Sequence, residues 1–98
     1  MLNQIVLVGR LANEPTIKEN GECIVTLAVP RTYKNQNGEY ETDFIPCVLF
    51  KNIAETTREY CKKGDVIGIR GRIQTSENEI VLVAEKVTFL SSSRKDED

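Results

Sequence analysis

The stretch Asp43-Phe44-Ile45-Pro46-Cys47-Val48-Leu49-Phe50-Lys51 decides the fold. Side chains alternate faces along a strand, so Ile45, Cys47 and Leu49 share one side. Phe44, Pro46, Val48 and Phe50 share the other. Both sides are apolar, so the strand is covered twice, and one cover is the core. The other cover, over Phe44 and Phe50, is more core, a second subunit, or a ligand that meets aromatic rings.

Downstream, residues 52–63 form the single helical candidate. Asn52 can cap it, and Glu55 completes a capping box. Ile53, Thr57, Tyr60 and Cys61 supply an apolar face at helical spacing, and Gly64 supplies a left-handed stop. Residues 65–75 read as a strand carrying Gly68 and Gly71. Ser76-Glu77-Asn78 is a tight connection, and residues 79–90 form the last strand.

Upstream, residues 2–11 are rich in β-branched side chains, with Gly9 marking a bend. Asn20-Gly21 is a turn signal. Glu22–Lys34 alternates again, and Asn35-Gln36-Asn37-Gly38 tips a hairpin into the opening strand. Pro30 and Pro46 each remove a ladder donor, so each lies at a bulge or an unpaired edge, or marks a break in pairing where a ligand crosses. Three strands, a helix and two strands, with kinking glycines in the first and fourth strands, favour a small closed barrel.

Composition narrows the function. Ninety-eight residues make one domain, and a net charge of −2 argues against binding by bulk charge alone. No apolar run could span a bilayer. Residues 1–8 lack a basic leader and a cleavage site, which predicts a cytoplasmic protein. Histidine is absent, and Cys23, Cys47 and Cys61 are widely spaced. That pattern predicts buried thiols, with no metal site, no cofactor and no cysteine nucleophile. Glu39, Glu41 and Asp43 read as solvated acids beside a turn, so no enzyme is expected.

Binding is better supported. Residues 46–75 hold six basic and three acidic side chains, a local charge of +3. Arg31 and Tyr33 share a face, Lys34 follows, and Phe44 and Phe50 lie on the adjoining strand. Aromatic rings interleaved with cations suit single-stranded nucleic acid: bases stack on rings while cations follow the phosphates.

The order and spacing of several segments carry a resemblance. They are Asn3-Gln4-Ile5-Val6-Leu7-Val8-Gly9-Arg10-Leu11, Pro15, Leu27-Ala28-Val29 with Arg31, Gly38-Glu39, Asp43-Phe44-Ile45 and Val48-Leu49-Phe50. Ala54-Glu55, Tyr60, Lys63-Gly64, Gly71-Arg72-Ile73-Gln74, Val83-Ala84-Glu85 and Val87-Thr88-Phe89-Leu90 follow. Over residues 2–90 the chain resembles bacterial single-stranded DNA-binding proteins.

The resemblance implies an OB-fold, a five-stranded Greek-key barrel with its helix between strands three and four, over residues 1–90. It implies a homo-oligomer, a tetramer or a dimer, in which first strands meet. It implies single-stranded DNA as partner in replication, recombination or repair, close to the nucleoid. Stacking rings fall on Tyr33, Phe44 and Phe50, expected on one sheet face. Phosphate-contacting cations fall on Arg10, Arg31, Lys34, Lys62, Lys63 and Arg72. An OB-fold adaptor of the primosomal type, whose partners are proteins, is the rival reading.

Three departures are visible. Tyr33 and Phe44 stand where the family usually places Trp, which reduces stacking area. The hairpin at residues 76–78 is shorter than the family's ring-bearing loop, which predicts a smaller footprint. Residues 91–98, Ser-Ser-Ser-Arg-Lys-Asp-Glu-Asp, form a charged tail with acids but without the family's apolar tip. Recruitment of other replication proteins through that tail is not expected.

Overall fold

The strong alternation on either side of the hairpin tip produces two long paired strands. In the computed structural model, which describes residues 1–90, β2 spans Glu22–Lys34 and β3 spans Tyr40–Phe50. They pair antiparallel with Leu27 opposite Ile45 and Ala28 opposite Phe44. Around them lie β1 (Ile5–Leu11), α1 (Lys51–Tyr60), β4 (Val66–Ser76) and β5 (Glu79–Phe89). The strands close in the order β1-β2-β3-β5-β4, with β3 and β5 parallel and every other pair antiparallel. This is a five-stranded OB-type barrel with its helix between β3 and β4, as expected.

The interior takes one side of each strand. Leu11, Cys23, Val25, Leu27, Cys47, Leu49, Ile67, Ile69, Leu82 and Ala84 are buried together, and Ala54 and Cys61 close the cluster from the helix side. All three cysteines are free and buried. Burial pushes the Cys47 thiol up to about 11. Cys23 is also raised by burial, which outweighs a hydrogen bond at Thr16 and the charge of Arg58. Neither offers a thiolate near neutral pH.

Two glycines allow the barrel to close. A Cβ on Gly9 would stand 2.7 Å from the Ala28 carbonyl oxygen, and one on Gly71 would run into the Val83 carbonyl. Gly71 sits where the β4–β5 register shifts: Arg70 pairs with Lys86 but Gly71 pairs with Ala84, which leaves Glu85 as the extra residue. Gly68 has only ordinary contacts at 3.7 Å, so it is not a bend forced by close approach.

Both prolines resolve. Pro30 stands at the register shift between Pro30 and Lys34. Opposite Pro46, Thr26 turns its N–H to Asn13 Oδ1 and its carbonyl to the Ala12 N–H. The Thr26–Pro46 pair is therefore a non-hydrogen-bonded one, and no β2 acceptor waits for the proline. Pairing of β3 with β5 begins only at Cys47.

The limits of β1 and of the helix differ from expectation. β1 starts at Ile5, not residue 2, because Asn3 replaces the ladder: its Nδ2 donates to the Ile73 carbonyl (2.7 Å) and its Oδ1 accepts the Ile73 N–H (2.9 Å). The helix covers Lys51–Tyr60, not 52–63, and Asn52 does not cap it. Phe50 is the cap residue and makes no side-chain cap bond. The strand runs straight into the helix through Lys51 at φ +31°, whose N–H bonds the Gly21 carbonyl. At the far end, Cys61 leaves helical geometry before Lys62. Gly64, at φ +97°, therefore serves the turn after the helix and not the helix stop. The buried helical face includes Ala54 and Thr57, while Tyr60 is partly exposed with its ring 5.9 Å from that of Phe89.

Candidate nucleic-acid interface

Strand alternation that buries Cys47 and Leu49 pushes Phe44 and Phe50 to the outer face, 64% and 47% exposed. They stand six residues apart on one strand, about 20 Å at ordinary strand rise. Two rows of side chains flank them. Arg10 pairs with Ala28, which pairs with Phe44, so these three lie in line across β1, β2 and β3. Arg72 pairs with Val83, which pairs with Val48, so these lie in line across β4, β5 and β3. Each row carries an arginine on one side of β3.

The small Ala28 leaves space between its neighbours. A groove of about 390 Å³ runs there, lined by Val8, Gly9, Arg10, Ala28, Pro30, Thr42 and Val66. Arg10 Nη1 donates to the Gly64 carbonyl at 2.9 Å, which brings it to the turn carrying Lys62 and Lys63. The backbone N–H of Lys62 is accepted by Asp65 Oδ2, and that of Lys63 by Glu14 Oε2. Their side chains are left exposed. Arg10 thus lines the groove and contacts the turn on which the exposed Lys62 and Lys63 stand.

The expected residues do not all meet. Lys34 pairs with Tyr40, on the Phe44 side of the hairpin, and its Nζ lies 5.8 Å from the Tyr40 ring centroid. Alternation then turns Tyr33 to the other side of the hairpin. Arg31 is there too, its pKa raised chiefly by the hydrogen bond and charge of Asp43 and further by Tyr33 and Glu41. Tyr33 therefore does not share the face of Phe44 and Phe50, as the sequence had suggested.

Two cations are already engaged by carboxylates. Arg31 pairs with Glu41 (2.7 Å) and Asp43 (2.9 Å), and Arg72 pairs with Glu85 (3.1 Å) and also donates to Gln74. The Arg31 hydrogen bond holds the Asp43 carboxyl below the usual carboxylate range. Among the described residues Lys34, Lys62 and Lys63 form no ion pair. One feature was not singled out from the sequence. Arg70 and Lys86 stand directly opposite each other on the outer face, a like-charge pair that local alternation alone cannot reveal because the β5 bulge sets it.

Among the described residues no group of three His, Cys, Asp or Glu side chains is placed to hold a metal ion, and no helix is long and apolar enough to cross a membrane. An OB-type barrel that exposes rings and cations on one wall is a nucleic-acid-binding architecture.

The family is specific. Residues 2–90 match the Single-strand binding protein family, and the chain belongs to it. It is 46% identical over 83 residues to single-stranded DNA-binding protein B of Bacillus subtilis, covering 81% of this chain and 74% of that one. To the single-stranded DNA-binding protein of Halalkalibacterium halodurans it is 46% identical over 103 residues, covering 92% of this chain and 61% of that one. The chain spans as little as 44% of another such relative, from Enterococcus faecalis. The fold matches a Plasmodium falciparum SSB solved in complex with ssDNA, with a TM-score of 0.74, 24% identity, and 93% and 96% of the two chains covered.

Proposed function

We propose that the protein binds single-stranded DNA without base specificity and performs no chemistry on it. Phe44 and Phe50, with Tyr33 across the hairpin, stack bases. Arg10, Lys34, Lys62 and Lys63 neutralise phosphates, and Arg31 and Arg72 join once their carboxylate partners yield. Rings accept any base, so the reading is sequence-tolerant. The observation that carries it is the row Arg10–Ala28–Phe44, which sets a cation and an exposed ring beside one groove. Membership in the family does not favour an adaptor whose main partners are proteins.

The protein acts as a homo-oligomer, a tetramer, in cytoplasmic DNA replication, recombination or repair. Support for assembly comes from Val6, which stands 65% exposed on the outer face of β1 and does not line the groove. Fluorescence anisotropy on oligothymidine tests the binding. Affinity falls steeply between about 50 and 300 mM salt as phosphate contacts release counterions. Equal affinity for duplex and single strand overturns the stacking mechanism. Sedimentation equilibrium tests the assembly, and a monomer at all concentrations overturns it.

A further inference from the structure

Arg31 is held as a ligand would hold it. Its Nε donates to Asp43 Oδ2 at 3.1 Å and its Nη2 to Oδ1 at 2.9 Å, while Nη1 donates to Glu41 Oε1 at 2.7 Å. Both carboxylates are borne on β3 of the hairpin. Asp43 is fixed on the ladder opposite Val29. Glu41 accepts a second hydrogen bond from Asn35 Nδ2 at 3.1 Å, and Asn35 Oδ1 takes the N–H groups of Asn37 and Glu39 at the hairpin tip. A guanidinium fork satisfied by two planar anions has the geometry of a phosphate contact. Lys34, Lys62 and Lys63 have no such partner among the described residues.

We propose that Asp43 and Glu41 are an internal anionic placeholder on Arg31, which a phosphodiester of single-stranded nucleic acid must displace to reach the guanidinium. This rests on the binding reading above and adds a gate to it. The strand docks first on Lys34, Lys62 and Lys63 and on the outer rings. Arg31 then exchanges carboxylate for phosphate as the strand passes the hairpin toward Tyr33. The three side chains are partly exposed, so the pairs are weak enough to exchange on binding. Arg31 contributes to affinity only the difference between its two anionic partners, and a strand too short to reach past the lysines leaves the gate shut.

The test is a double-mutant cycle read by anisotropy on oligothymidine. Asp43→Asn with Glu41→Gln is made in the wild-type chain and again in Arg31→Gln. The expected result is binding about 2- to 10-fold tighter in the wild-type background, the range set by two exposed ion pairs, with a smaller gain in Arg31→Gln. Glu41→Gln alone, which leaves the two-point Asp43 contact, gives a smaller part of the gain. Circular dichroism melts confirm that each variant is folded. Equal gains in both backgrounds mean simple relief of repulsion and overturn the gate. Weaker binding after loss of the carboxylates means that they orient Arg31 for its ligand, and also overturns it. A wild-type chain that binds no oligothymidine overturns the binding reading itself.

Discussion

Arg10, on β1, is tied through its Nη1 to the carbonyl of Gly64, 54 residues later in the turn that carries Lys62 and Lys63. With the backbone bonds from the Leu11 N–H to the Asp65 carbonyl and from the Gly64 N–H to the Leu11 carbonyl, it holds that turn against the β1 edge of the groove. Replacing Arg10 by Gln removes one phosphate contact and loosens the turn. Affinity for oligothymidine falls several-fold at low salt, and the salt slope becomes shallower by about 0.7, the increment for one phosphate on a single strand. An unchanged slope in a salt titration places Arg10 outside the strand's path.

The two sides of β3 respond oppositely to truncation. Phe44→Ala and Phe50→Ala each weaken binding by about 1–3 kcal/mol, the strength of one base stacked on a ring, and leave the melting temperature nearly unchanged because both rings are exposed. Leu49→Ala, one residue before Phe50 and fully buried, destabilises the fold by about 2–5 kcal/mol. Thermal melts beside anisotropy titrations separate the two effects. A Phe50→Ala variant that unfolds returns that ring to the core.

Glycines that look alike in the sequence differ in what they permit. Gly71→Ala forces a methyl group against the Val83 carbonyl at the β4–β5 register shift. It costs about 1–3 kcal/mol or more, as overpacking does. Gly68→Ala meets nothing closer than 3.7 Å and stays within about 0.5 kcal/mol of the wild type. Denaturant unfolding of the two variants measures the difference.

Stability falls in alkali through Cys47. Its thiol titrates near 11 when folded, above its ordinary value of 9.0. Below pH 9 both states are neutral and nothing is lost. Between pH 9 and 11 the unfolded chain gives up this proton and the folded one keeps it, so stability drops by at most about 1.4 kcal/mol per pH unit. The decline is shallower in Cys47→Val, and parallel curves for the two proteins refute the assignment. Equilibrium unfolding across that range provides the measurement.

What local chemistry dictates was legible without a structure. Alternation in Glu22–Lys34 placed β2 at its observed limits, and the two-sided pattern of residues 43–51 separated Cys47 and Leu49 from Phe44 and Phe50. The helix was legible in kind but not in extent. Its start depends on a strand running directly into it through Lys51 at positive φ, which a residue scale does not foresee.

Residue spacing by itself gave the element order, favoured a closed barrel and showed which types of side chain are available for binding. These follow from short-range periodicity, which any window of ten residues carries. Only the tertiary structure decided which arginines the carboxylates engage. Arg31 finds Glu41 and Asp43 across a hairpin, and Arg72 finds Glu85 because an extra residue in β5 shifts the ladder between Arg70 and Gly71. Ion pairing depends on distance in space, and one bulge changes every neighbour beyond it.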